Sequence, residues 1–196
     1  TRACRIARAI TERNLIALIG DFWHGSEDHF LFRREYELLS DGLTIQPGIN
    51  FVWFQSISDF LLDPSCHKYA AILVEPNQGS NPKTNIIKDL LNKTTREKFT
   101  DLGILIIVDE IITGFRDHYG SSITSRQCKP DIVVFGKALC NGYPVGLVLV
   151  DDKYNTLIKK KNIFWGGTFS GNPIQMELMY ESLKKLIKLD FGLIQK

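Results

Sequence analysis

An acid and an amine each close a short apolar run in this chain. Residues 104–108, ILIIV, stop at Asp109 and Glu110; residues 132–135, IVVF, stop one glycine short of Lys137. Brought together, the two groups suit one kind of chemistry. An amine at a dry strand end loses its proton more readily and can then condense with an aldehyde. A carboxylate aimed at a pyridine nitrogen keeps it protonated, so the ring can draw electrons from an attached substrate. A lysine and an aspartate are what a pyridoxal-type ring needs. Taken singly, each also has a plain structural role, Asp109 capping a following helix and Lys137 solvated in a loop.

The elements that must position them can be read from the pattern. Both runs are rich in β-branched residues, too short for helices that pack alone, and free of polar alternation. Strands covered on both faces of a parallel sheet read this way. Residues 15–19 and 70–74 repeat the pattern, residues 51–62 read as a strand entering a short helix, and 145–150 as a further strand. Residues 1–13 place Ala3, Ile6, Ala7 and Ile10 on one helical face, with Arg2, Arg5 and Arg8 mostly elsewhere, either a solvated basic face or an anion site. Residues 83–102 form a charged helical region, and a helix with Leu178, Leu183, Leu186 and Ile187 follows Pro173. The expected fold is α/β, a mostly parallel sheet flanked by helices. Ligands of such sheets bind beyond the carboxyl ends of the strands, where Asp109 and Lys137 lie.

The ordered motifs VDEIITGFR, DIVVFGKALCNGYPVG, FWHG, VEPNQGS and GGTFSGNP together resemble the class III pyridoxal-phosphate aminotransferases of fold type I, over nearly the whole chain. The resemblance implies a partial large domain of that fold and pyridoxal 5'-phosphate as cofactor. It implies a small-molecule amino donor and an acceptor as substrates, with transamination or a glutamate-1-semialdehyde-type 2,1-amino migration as the reaction. Lys137 is then the lysine that condenses with the cofactor aldehyde, Asp109 the partner of the pyridine nitrogen, and Ile111 packs on one ring face. Trp23, first in an aromatic-His-Gly triplet with His24, would stack on the opposite face, though an ordinary core tryptophan reads the same way. Glu75 stands in the family's Glu-Pro turn beside the cofactor, as a catalytic or a loop-bonding carboxylate. Thr168 matches a threonine that binds the cofactor phosphate of the neighbouring subunit, which implies a homodimer. Ser80 and Ile112 replace the glutamate and glutamine of the ornithine and 4-aminobutyrate enzymes, and both departures point to the aminomutase-like branch. In that branch residues 26–50 correspond to a lid. By the same likeness, the phosphate-holding turn would precede Thr1 and a small domain would follow Lys196, so residues 1–196 read as a fragment inactive alone.

The remaining features bound the alternatives. A formal charge of +2, from 24 basic and 22 acidic residues, gives no case for nucleic acid or an acidic membrane surface. No apolar run approaches the roughly 20 residues of a membrane span. Cys4, Cys66, Cys128 and Cys140 form no CxxC pair, and no signal-peptide pattern is present, which fits reduced thiols in the cytoplasm. His24, Glu27, Asp28 and His29 match no zinc spacing, so no metal site is expected. ILIIVDE also fits the acidic strand of P-loop ATPases, but GxxxxGK[ST] occurs nowhere in the chain. A non-catalytic domain on the same fold would have no use for both Asp109 and Lys137.

Overall fold

Leu15–Ile19 (β1), Phe51–Phe54 (β2), Tyr69–Val74 (β3), Leu105–Asp109 (β4), Ile132–Phe135 (β5) and Leu147–Val150 (β6) form one six-stranded sheet ordered β2-β1-β3-β4-β5-β6. The computed structural model describes residues 1–32, 37–43, 50–76, 86–116, 118–123 and 128–191. Pairing is parallel from β2 through β5, and β6 joins β5 antiparallel. The helices are α1 (Arg2–Thr11), α2 (Ile57–Leu62), α3 (Ile87–Leu91), α4 (Lys93–Leu102), α5 (Asn155–Lys160) and α6 (Pro173–Leu186).

Two apolar layers explain why the strands lack polar alternation. Ile16 and Leu18 of β1, Leu73 of β3, and Leu105 and Ile107 of β4 pack with Ala3, Cys4, Ile6 and Ala7 of α1. The intervening Ala17, Ile19, Ile72, Val74, Ile106 and Val108 pack with Ile57, Phe60, Ile87, Leu90 and Phe99 of α2, α3 and α4. Side chains alternate across a strand, so helices on both faces require apolar residues at every position. Leaving water in this way stabilises each large side chain by about 1.5–3 kcal/mol.

One expectation changes. The helical region of 83–102 is two helices, because Asn92 caps α4 by accepting the Thr95 amide and is itself extended, at φ −66° and ψ 121°. Its residues 83–85 lie outside the described residues. The helix after Pro173 forms as expected but buries none of its residues fully; Leu183 and Met179 rest against the small cluster of Val133, Phe135 and Leu139. Of the 26–50 segment, Asp28–Phe30 is a 3-10 turn, and Phe32 bridges Leu38.

Candidate active site

β4 carries Asp109 to the carboxyl end of the sheet, where it pairs in register with Val134 of β5. Leu105 and Ile107 face α1, and alternation puts Asp109 on that same face. Its side chain is buried, yet both carboxylate oxygens are bonded. Oδ1 accepts the Ile111 amide at 3.1 Å, and Oδ2 lies 2.8 Å from His24 Nδ1. With the carboxylate ionised, Nδ1 carries the proton and donates it. The His24 side chain is only 2% exposed, so this ion pair or hydrogen bond is shielded from water. Phe22 stacks on the imidazole at 5.0 Å, and Phe30 meets it edge-on at 6.0 Å. Among the described residues His24 Nε2, beside these apolar rings, is buried without a hydrogen-bond partner.

β5 delivers the amine. Gly136 is buried, and an added Cβ there would lie 3.4 Å from Ile111 Cγ2, so the Asp109–Ile111 turn and the lysine segment are in contact. Lys137 itself has φ 40°, the left-handed region that costs a non-glycine residue of order 1–3 kcal/mol. Its side chain is exposed rather than desolvated by the strand end. It opens on a cleft of about 1000 Å³ that also receives Thr1, Ile111, Tyr143 and Trp165. The first turn of α1 also lines this cleft, through Thr1, Arg2 and Ala3.

The other residues singled out in the sequence are placed differently. Trp23 is 47% exposed and is not among the residues lining the cleft; its amide donates to Glu75 Oε1 at 2.7 Å. Glu75 is buried and ties the 20–25 segment to the end of β3. Ser80 lies outside the described residues. Thr168 is exposed in a second cleft of about 690 Å³, which shares Arg2, Gly171 and Met176 with the first. The neighbouring Glu110 is fully buried and structural. It accepts bonds from the hydroxyls of Thr113, Ser121 and Ser122, which stitch the 110–123 segment together. The sequence carried no sign of the His24–Asp109 pairing, which joins the loop after β1 to the end of β4. It also gave no hint that Gly114 is required: a Cβ there would meet Phe135 Cδ1 at 2.6 Å and the Glu110 carbonyl oxygen at 2.7 Å.

The family model for class III aminotransferases matches residues 54–193. The chain belongs to the class III aminotransferases. Among its relatives is a glutamate-1-semialdehyde 2,1-aminomutase of Thermoplasma volcanium, 31% identical over 99% of this chain and 49% of the relative. Another, from Lawsonia intracellularis, is 32% identical over 99% of this chain and 47% of its own length. Solved transaminase structures superpose on the same frame. An omega-transaminase from Sphaerobacter thermophilus gives a TM-score of 0.78 at 25% identity, covering 94% of this chain and 46% of that one. A transaminase with PLP bound gives 0.77 at 25% identity, over 94% and 46%. The fold is therefore that of fold-type-I pyridoxal-phosphate transaminases, and the chain spans about half the length of the curated relatives it matches. Among the described residues no helix is long and apolar enough to cross a membrane.

Proposed function

We propose that the protein containing this chain uses pyridoxal 5'-phosphate to transfer an amino group between a small-molecule amino donor and a 2-oxo acid or aldehyde. The observation that carries the reading is Lys137, held in a left-handed conformation at the mouth of a cleft shared with Ile111, whose amide is bonded to the buried Asp109. The residues present fit the cofactor. Gly136 keeps a close approach clear beside Ile111, and Asp109 is a buried carboxylate paired to His24.

When bound, pyridoxal 5'-phosphate supplies an electron-poor ring that accepts the electron pair left on a substrate carbon. Lys137 Nζ would hold the cofactor through its aldehyde and, when free, would carry a proton to and from the substrate carbon that bears the amine. Asp109 would hold negative charge toward the ring nitrogen, and His24, donating to Oδ2, fixes the carboxylate's direction. Ile111, which lines the cleft, would pack on one ring face; Trp23, tied through its amide to Glu75, would have to turn in from its exposed position outside the cleft to cover the other. The first turn of α1 directs its amides at the phosphate. Thr168 reaches the phosphate of the neighbouring site in a homodimer, a role supported by its exposure on a turn rich in small residues. The four free cysteines agree with a cytoplasmic protein.

A 2,1-aminomutase is the second reading, favoured by the relatives of that name and by Ile112 where the ornithine-type enzymes carry glutamine. The two share every step assigned to Lys137 and Asp109. The test is Lys137→Ala in the purified protein, followed by borohydride reduction and a product assay with and without a 2-oxo acid. Loss of the reducible visible absorbance is expected. A reduced lysyl adduct elsewhere in the variant would refute the assignment. Dependence on the added acceptor identifies transamination, and turnover without it identifies amino migration.

A further inference from the structure

We propose that Arg2 is a positioning residue: it braces the 166–170 turn against α1 and so sets the place of Thr168. The inference rests on Thr168 serving a neighbouring site's cofactor phosphate. Arg2 Nη2 donates to the Gly166 carbonyl at 3.0 Å and to Ser170 Oγ at 2.7 Å, on either side of Thr168. One guanidinium nitrogen thereby spans the turn. Arg5, one helical turn on, donates to the Phe164 carbonyl at 3.1 Å and fixes the approach to it.

The turn has little else to hold it. Its local backbone bonds are Ser170 N–H to the Gly167 carbonyl at 2.9 Å and Asn172 N–H to the Phe169 carbonyl at 3.3 Å. Phe164 and Phe169 are 67% and 71% exposed, so apolar packing contributes little there. Beyond it, Asn172 caps α6 by accepting the Ile174 and Gln175 amides, and Gln175 Nε2 reaches the Pro144 carbonyl. The segment is thus fixed at both ends, while among the described residues its middle is tied across the fold by Arg2 alone. Gly167 is shaped to this contact: an added Cβ would lie 2.8 Å from Arg2 Nη2 and 2.9 Å from Ser170 Oγ.

Arg2 also sits in the first turn of α1, beside the cleft that holds Lys137, and lines both clefts. A single helix end would therefore face one phosphate while its side chain braces the turn that carries the hydroxyl meant for another. The arrangement ties the two sites of a dimer to one rigid element.

The test compares pyridoxal 5'-phosphate with pyridoxal, which lacks the phosphate, in titrations of the apo form of the purified protein. Thr168→Val reports the phosphate contact itself. Arg2→Ala removes the brace, and Ser170→Ala removes one of its two acceptors while leaving Arg2 in place. Arg2→Ala should weaken pyridoxal 5'-phosphate about tenfold, the loss of one well-placed hydrogen bond to a charged group, with pyridoxal unaffected. Ser170→Ala should act in the same direction but less. Adding Arg2→Ala to Thr168→Val should cost nothing further, since both act through one contact. Amide exchange of residues 166–170 should speed up in the Arg2→Ala apo-protein. If Thr168→Val weakens phosphate-dependent binding and Arg2→Ala does not, the brace is wrong while the Thr168 reading stands. If Thr168→Val has no effect, the Thr168 reading fails and takes this inference with it. Equal weakening of both ligands by Arg2→Ala would mean general damage and would also overturn the inference.

Discussion

Gly114→Ala should destabilise the protein far beyond what one methyl group suggests. The new Cβ would sit 2.6 and 2.8 Å from two Phe135 ring carbons and 2.7 Å from the Glu110 carbonyl oxygen. Carbon atoms rest at about 3.5–4.0 Å, so the ring contacts are short by roughly an ångström. Neither neighbour can give way cheaply. The Glu110 carbonyl is backbone and accepts the Gly114 amide itself at 2.8 Å. The Phe135 ring is 4% exposed and is backed by Phe115 at 5.4 Å between ring centres. Overpacking of this kind costs about 1–3 kcal/mol, and with two rigid neighbours the upper end applies. For a chain of this size that is a fall in melting temperature of about 6–12 °C. Phe135 also precedes Gly136 and Lys137, so a displaced ring should reduce the cofactor-linked visible absorbance before unfolding begins. Gly146→Ala is the control, because nothing lies within 4 Å of a Cβ there; it should stay within about 0.5 kcal/mol of the parent. Thermal melts and absorbance titrations of both variants test the reasoning. A Gly114→Ala protein melting within about 2 °C of its parent, with full absorbance, would refute it.

Asp109→Asn should keep bound cofactor, measured by absorbance, while turnover falls on the order of a hundredfold or more, because an amide cannot hold negative charge at the ring nitrogen; near-normal turnover would assign that role elsewhere. Burial, then the bond from its hydroxyl to Asp131 at 2.8 Å, pushes the Tyr154 phenol above its ordinary range. The folded form therefore keeps this proton after the unfolded chain has lost it, so the stabilisation is whole below pH about 10 and declines as pH rises further. Tyr154→Phe should flatten that alkaline decline in denaturant midpoints, and an unchanged slope would count against it. Ornithine and 4-aminobutyrate should be poor amino donors, since Ile112 cannot offer the hydrogen bonds of a glutamine and Ser80 lacks a glutamate's charge; brisk turnover of either in a donor assay would show that these positions do not decide substrate choice.

The strand runs were legible because burial on both faces leaves an unmistakable pattern: residues 15–19 and 132–135 are β1 and β5 to the residue. The placement of Asp109 at the end of β4 and of Lys137 just beyond β5 was legible for the same reason, as charges closing such runs. The His24–Asp109 contact was not, because the two residues are 85 apart in sequence and only the order of β1, β3 and β4 brings them together. The reach of Arg2 to Ser170, across 168 positions, is of the same kind. The break at Asn92 had a local signal, a capping residue inside a helical pattern, which the charged composition of 83–102 obscured. The exposed placement of Lys137 had none, since exposure depends on what surrounds the strand end rather than on the strand.

The two-sided packing of β4 constrains how such a chain can diversify. Inserting one residue between Leu105 and Asp109 would turn every following side chain to the opposite face. Leu105 or Ile107 would exchange layers with Ile106 or Val108, and Asp109 would swing from the α1 side, away from His24. Single-residue insertions and deletions should therefore be lethal inside the strands yet tolerated in the exposed 38–43 turn. A deletion scan read by growth or by soluble yield would trace the same boundary, with β4 as the ruler against which the lineage's length changes are kept out.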